Sequence, residues 1–215
     1  MEIKPSKELA YWVGVVQSDG CLYGNRIYLG VKSRSFPMLE KFAEISKIIF
    51  RTNNQIRQRS KSEPGVRCFR FTVSKFISQL KNLDIKFGDP PKPPLWVTKK
   101  SEFFGAYLAG IIDGDGSIRI KRKKYPQCMV KITSGKRQDK LATSIKNFLN
   151  CAVSITSYKK DKILDGRIIK GKWYELEFLV SSKNCRFVKL YILPHLTIIH
   201  KKEILEEYIL ERFGM

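Results

Sequence analysis

Residues 104–118 read Phe-Gly-Ala-Tyr-Leu-Ala-Gly-Ile-Ile-Asp-Gly-Asp-Gly-Ser-Ile. Residues 8–22, at an offset of 96, read Glu-Leu-Ala-Tyr-Trp-Val-Gly-Val-Val-Gln-Ser-Asp-Gly-Cys-Leu. At this fixed offset Ala10 falls on Ala106, Tyr11 on Tyr107, Gly14 on Gly110, Asp19 on Asp115 and Gly20 on Gly116. Both copies place a small residue at every fourth position: Ala10, Gly14 and Ser18, then Ala106, Gly110 and Gly114. That spacing leaves one face of a helix almost bare of side chain. A helical glycine costs about 1 kcal/mol relative to alanine, so the stripe calls for a packing reason. Two helices in backbone contact, each the partner of the other, supply it. Tyr11, Val15 and Val16, and likewise Tyr107, Ile111 and Ile112, are then expected to face the core of their own half.

Outward from each motif the pattern changes to period two. Ile27, Leu29 and Val31 alternate with Arg26, Tyr28 and Lys32, and Phe69, Phe71 and Val73 with Arg70 and Thr72. In the second copy Ile118 and Ile120 alternate with Arg119 and Lys121, and Val130 and Ile132 with Lys131 and Thr133. One apolar and one basic face describe half-buried sheets with an open side. Apolar spacings of three and four predict helices near 37–50, 76–83, 137–149, 184–192 and 200–212. Four of the nine prolines fall in residues 90–94, which excludes helix or central strand there. The expected organisation is one half over 1–87, a stiff Pro-rich linker over 88–99, and a second half over 100–215.

The chain has 215 residues with 41 Lys and Arg against 20 Asp and Glu, a formal net charge of +21. Residues 1–100 hold 19 basic and 8 acidic side chains and residues 101–215 hold 22 and 12, so the excess is shared by both halves. This points to a polyanion gripped along its length rather than to a basic tail. No apolar run is long enough for a membrane span, and the first residues lack a signal-peptide core. The five cysteines are scattered with no C-x-x-C pair, which suits reduced thiols. A cytoplasmic, nucleoid-accessible location is expected, with an organellar one as the alternative.

Pairing the two helices about a pseudo-two-fold axis brings Asp19 and Asp115 side by side at their C-terminal ends. Helix C-termini carry negative polarity and adjacent carboxylates repel, so the site favours a cation. Oxygen-only donors suit Mg²⁺ rather than zinc. Divalent ions between two carboxylates, over a basic surface, are what two-metal phosphodiester hydrolysis requires. Asp113-Gly-Asp115-Gly-Ser117 opens like a calcium loop, but Ile118 and Lys124 stand where that loop needs glycine and glutamate.

Leu108-Ala-Gly-Ile-Ile-Asp-Gly-Asp-Gly116 and the weaker Trp12-Val-Gly-Val-Val-Gln-Ser-Asp-Gly20 resemble the motif of the LAGLIDADG homing endonuclease family. The doubled motif and the length resemble its monomeric two-motif branch. The resemblance implies an α+β fold, a saddle of two αββαββα halves with the motif helices paired at the centre and two antiparallel sheets astride double-stranded DNA. It also implies metal binding by Asp19 and Asp115, to two or three Mg²⁺ ions, with Mn²⁺ substituting and Ca²⁺ binding without turnover. Gln17 replaces the motif's earlier acid in the first copy, and Asp113 keeps it in the second. Lys75 and Lys183 resemble the basic residues that the family places near the metals at strand ends. The water-positioning glutamine has no counterpart at Val31-Lys32-Ser33 or Ile132-Thr133-Ser134, and Lys32 is the one candidate substitute.

The expected activity is site-specific double-strand cleavage of a long, loosely palindromic target, leaving short 3′ overhangs and promoting intron mobility. Lys32, Arg34, Arg57, Arg59, Arg70, Arg119, Lys121, Lys131 and Arg167 are the expected DNA-contacting residues, with Gln55, Gln58 and Gln127 as further base readers. The alternatives are an RNA maturase acting in intron splicing, a nuclease-dead DNA-binding protein and a basic RNA-packaging or ribosomal protein.

Overall fold

A computed structural model describes residues 2–88, 90–121, 124–164 and 167–215, with the side chains of 161–170 outside that description. The first half runs α1 (Lys7–Ser18), β1 (Gly20–Tyr23), β2 (Arg26–Lys32), α2 (Phe36–Phe50), β3 (Arg57–Gln58), β4 (Val66–Thr72) and α3 (Ile77–Asn82). The second runs α4 (Ser101–Asp115), β5 (Gly116–Lys121), β6 (Gln127–Ser134), α5 (Asp139–Leu149), β7 (Val153–Leu164), β8 (Arg167–Val180) and α6 (Cys185–Phe187). After α6 come a π turn over Val188–Ile192, a 3₁₀ turn over Leu193–His195 and α7 (Ile199–Phe213). Among the described residues the strands form two four-stranded antiparallel sheets, ordered β1-β2-β4-β3 and β5-β6-β8-β7. This is the expected α+β architecture of two αββαββα halves, with α7 added beyond the repeat.

The small-residue stripes meet as their spacing predicts. A Cβ added at Gly14 would collide with the carbonyl oxygen of Tyr107, and one at Gly110 with that of Tyr11. Their own Cα atoms are close enough that each added Cβ would stand 3.2 Å from the other glycine's Cα. Gly20 and Gly116 make the tight passage from helix to first strand. Added Cβ atoms there would stand 2.7 Å from Val16 Cα and 2.5 Å from Ile112 Cα, nearer than any methyl is tolerated.

The apolar alternation of each sheet packs inward. Ile27, Leu29, Phe69 and Phe71 are buried under α2, where Trp12 stacks on Phe42 at 5.5 Å between centroids and donates its indole N–H to Ser46 at 2.8 Å. Val130, Ile132, Leu176 and Phe178 are buried in the second half. One continuous apolar cluster runs through both halves. Pro91, Pro93, Pro94, Trp96 and Val97 are buried as well, so the described residues of the Pro-rich segment lie packed onto the body. The Trp96 indole N–H donates to Leu83 O at 3.1 Å.

The tyrosines of the motif helices depart from expectation. Their hydroxyls cross into the other half: Tyr11 Oη donates to Asp113 Oδ2 at 2.8 Å, and Tyr107 Oη donates to Gln17 Oε1 at 2.7 Å. Because the helices touch backbone to backbone, a long side chain beside the stripe reaches past the contact into the partner half.

Candidate active site and nucleic-acid interface

Asp19 ends α1 as its C-cap and Asp115 is the last residue of α4. A Cβ added at Gly114 would collide with Ser18 Oγ and stand 3.5 Å from Asp19 Oδ2. The carboxylate of the first motif therefore lies against the chain just before the aspartate of the second. Asp19 is exposed, yet the adjoining helix end excludes enough water that desolvation raises its carboxyl pKa, opposed by the positive charge of Lys201.

The earlier motif positions have a different task. Asp113 is fully buried and its carboxylate accepts from Tyr11 Oη at 2.8 Å, Thr197 N at 2.9 Å and Thr197 Oγ1 at 2.8 Å. Gln17 is 3% exposed. It donates from Nε2 to Lys86 O at 2.8 Å and accepts at Oε1 from Lys92 N at 3.0 Å and Tyr107 Oη at 2.7 Å. Each pins the segment that follows its own half's last helix, and each is closed by the tyrosine of the other half. An amide serves as well as a carboxylate in that task, which accounts for the difference between the two motifs.

Lys201, on α7, went unremarked in the sequence. It is 7% exposed and donates to Ile112 O at 2.7 Å and Asp113 O at 2.8 Å, capping the C-terminal end of α4. Burial lowers its pKa, while the negative charges of Asp113, Asp19 and Asp115 work to raise it. Lys201 thus places a cation beneath the two aspartates and neutralises the negative end of the helix. No period or spacing distinguished it from the neighbouring Lys202, which is exposed enough to pair with Glu206 at 3.9 Å.

Among the described residues no three His, Cys, Asp or Glu side chains gather in a metal-ligating group. The donors at the helix ends are two carboxylates. Such a sparse, oxygen-only set fits Mg²⁺, which keeps much of its water and completes its shell from substrate phosphate. Lys75, in a 3₁₀ turn just after β4, and Lys183, just after β8, lie at the expected strand ends and are exposed. The electrostatic influence on Asp19 comes from Lys201 rather than from either of them.

On the open face of the first sheet, Arg57, Arg59 and Arg70 come together with Tyr28, Gln55 and Gln58 around a recess of about 460 Å³. Arg59 pairs with Glu63 at 3.3 Å, and among the described residues Arg57 and Arg70 form no ion pair. Lys32 ends β2 and Arg34 lies in the turn after it, both exposed. The second sheet is different. Arg119, Lys121 and Lys131 share its open face by register, but Lys131 bonds Glu175 at 2.6 Å and lies 3.6 Å from Glu177, while Lys121 lies 4.0 Å from Glu177. Gln127 sits opposite Lys121 on that face. Tyr158 and Trp173 stack beside them at 5.6 Å and 14°. Arg167 begins β8, and its side chain lies outside the described residues. No described helix is long and apolar enough to cross a membrane.

Residues 108–190 match the family model described as LAGLIDADG endonuclease. No curated protein sequence matches the chain significantly. Among solved structures, the chain is similar to full-length DUF199/WhiA from Thermatoga maritima, at 15% identity and a TM-score of 0.56. That match covers 97% of this chain and 62% of the other, so this chain spans under two thirds of that protein. It is similar to mesophilic variants of the homing endonuclease I-DmoI at 14% identity and a TM-score of 0.54, covering 86% and 95% of the two chains. I-DmoI in complex with DNA and Ca matches at 14% identity and a TM-score of 0.53, covering 86% and 88%. Likeness at this identity shows the fold.

Proposed function

We propose that the chain, whose residues 108–190 match the LAGLIDADG endonuclease family model and whose first half repeats the same fold, is a site-specific, metal-dependent double-strand DNA endonuclease acting as a monomer. The observation that carries this reading is the convergence of Asp19 and the end of α4 above buried Lys201, between two sheets whose open faces carry the basic residues. Arg57 and Arg59 on one side, and Arg119 with Lys121 on the other, would neutralise phosphates and centre the duplex.

Asp19 and Asp115 would hold the divalent cations, Mg²⁺ by preference and Mn²⁺ in its place, with Ca²⁺ binding without turnover. Bound there, such ions would lower the pKa of water from 15.7 towards ~7 and stabilise the attacking and leaving oxygens. Lys201 would hold α4's last turn, and with it Asp115, in place as the scissile phosphate arrives. Lys75 and Lys183 would contact flanking phosphates from the strand ends, and Lys32 would order water on the first side. One cut in each strand about the pseudo-two-fold axis gives short 3′ overhangs, and a chain with two unlike halves suits a long, loosely palindromic target and intron mobility.

The test uses a plasmid carrying the host gene without its intron, Mg²⁺ or EDTA, and the wild type beside Asp19→Asn and Asp115→Asn. Discrete Mg²⁺-dependent ends are expected, falling by at least ~10²-fold in either variant while binding in Ca²⁺ persists. Tight binding to that allele with no new ends would overturn the nuclease and favour a maturase or a binding protein.

A further inference from the structure

The two open faces carry opposite charges at one equivalent position. Gly20 faces Leu29 in the first sheet and Gly116 faces Ile132 in the second. Counting from that common start, Tyr28 corresponds to Lys131, Cys68 to Glu175 and Arg70 to Glu177. Glu177 lies on a central strand of its sheet, on the side away from buried Leu176 and Phe178. A carboxylate there weakens the grip of a +21 protein on a polyanion, so its presence needs another account.

Pairing with Lys131 does not provide one. Glu175 takes the short bond to that lysine at 2.6 Å and also accepts from Trp173 Nε1 at 3.3 Å, so the close pairing of Lys131 is made without Glu177. Glu177 contacts Lys131 at 3.6 Å and Lys121 at 4.0 Å, both longer than a hydrogen bond. At those distances neither lysine fills an acceptor site of Glu177. Glu177 is therefore an acceptor held between two lysines with its bonding capacity open.

We infer that Glu177 is a base-reading residue of the second half, selecting cytosine at the base pair symmetry-related to the one that faces Arg70; this rests on the DNA-binding reading above. In the major groove cytosine presents a lone donor, its N4 amino group, whereas guanine and thymine turn acceptors towards a carboxylate and adenine sets an acceptor beside its donor. Lys131, a donor only, complements the guanine of the same pair. Arg70 favours guanine. A target read by two copies of one half would place guanine in both symmetry-related frames. Here one frame carries guanine and the other cytosine, so the palindrome is broken at that position. The affinity lost to a central carboxylate is exchanged for discrimination.

The experiment selects bound duplexes from a randomised pool in Ca²⁺, with wild type, Glu177→Gln and Glu177→Arg, each checked for a wild-type melting transition. Wild type should enrich cytosine at one position of the second half-site, at the step symmetric to an enriched guanine in the first. Glu177→Gln should reduce that preference roughly tenfold or more. Glu177→Arg should replace cytosine by guanine and restore the palindrome there. Unchanged consensus sequences in both variants, or a wild-type consensus without that cytosine, would overturn the inference while leaving DNA binding intact. Failure of the wild type to enrich any sequence would overturn the DNA-binding reading itself.

Discussion

The open face of the first half carries arginines around a recess, while that of the second presents lysines already tied to glutamates, with an aromatic stack beside them. The difference extends inward. At equivalent positions Gln17 is a neutral anchor and Asp113 a charged one, and the segment after the first half is a packed Pro-rich strap where the second half adds α7 and Lys201. The fold repeats because helix pairing and sheet burial repeat. The polar groups laid on it do not repeat, and it is they that give the two halves different work. Two unlike halves in one chain can read an asymmetric sequence, which identical subunits cannot do without compromise at each symmetric pair.

The strongest way to break the comparison is at its shared axis. Gly14→Val and Gly110→Val should be equally disruptive, since each added Cβ meets the other helix's backbone rather than a movable side chain. A loss of at least ~3 kcal/mol is expected for either, read as a fall in the melting temperature. Unequal losses would show that one helix yields where the other does not.

Next in size is Lys201→Met, which strips the donors from two buried carbonyl oxygens at the end of α4. About 3 kcal/mol of stability should go. Among the described residues the first half has no counterpart of α7, so the change strikes one side of the pair. Nicked product outnumbering linear product in a plasmid assay would register that asymmetry.

The crossing tyrosines sharpen the contrast further. Tyr11→Phe removes a bond to a carboxylate and should cost about 1.5–3 kcal/mol, whereas Tyr107→Phe removes a bond to an amide and should cost about 0.5–1.5 kcal/mol. Denaturant titration of both variants reads the difference directly, and equal costs would mean that the charge at Asp113 is spread over its other donors. Smallest is a salt effect. Arg57→Ala should lower the slope of log affinity against log salt by about 1, while Lys131→Ala should leave it nearly unchanged because Glu175 already neutralises that lysine.

How much of this was legible beforehand follows the range of each interaction. The helix stripe, the alternating strands and the paired aspartates depend on spacings of two to four residues, repeated at one offset, and such spacings are visible in a string of letters. Most helix boundaries drifted by a residue or two, as at Phe36 rather than 37 and Ile199 rather than 200, but the helix expected over 184–192 is α only over Cys185–Phe187 and passes into a π turn over Val188–Ile192. The direction of Tyr11 was not legible, since a helix face alone does not say how close the next helix comes. The bond from Lys131 to Glu175 was not legible either, because Glu175 lies 44 residues away on a strand whose register no local pattern sets.

The sequence by itself determined the duplication, the α+β halves, the backbone contact of the motif helices and the place of Asp19 and Asp115 at their ends, because each follows from side-chain volume and period along one element. Tertiary structure alone decided which lysine stands beneath those aspartates, which lysines are neutralised, and that Arg70 and Glu177 occupy one position in two frames. The physical reason is that charge acts through space. Lys201 and Lys202 are adjacent in the chain, and only the packing of α7 against α4 buries one and leaves the other in water.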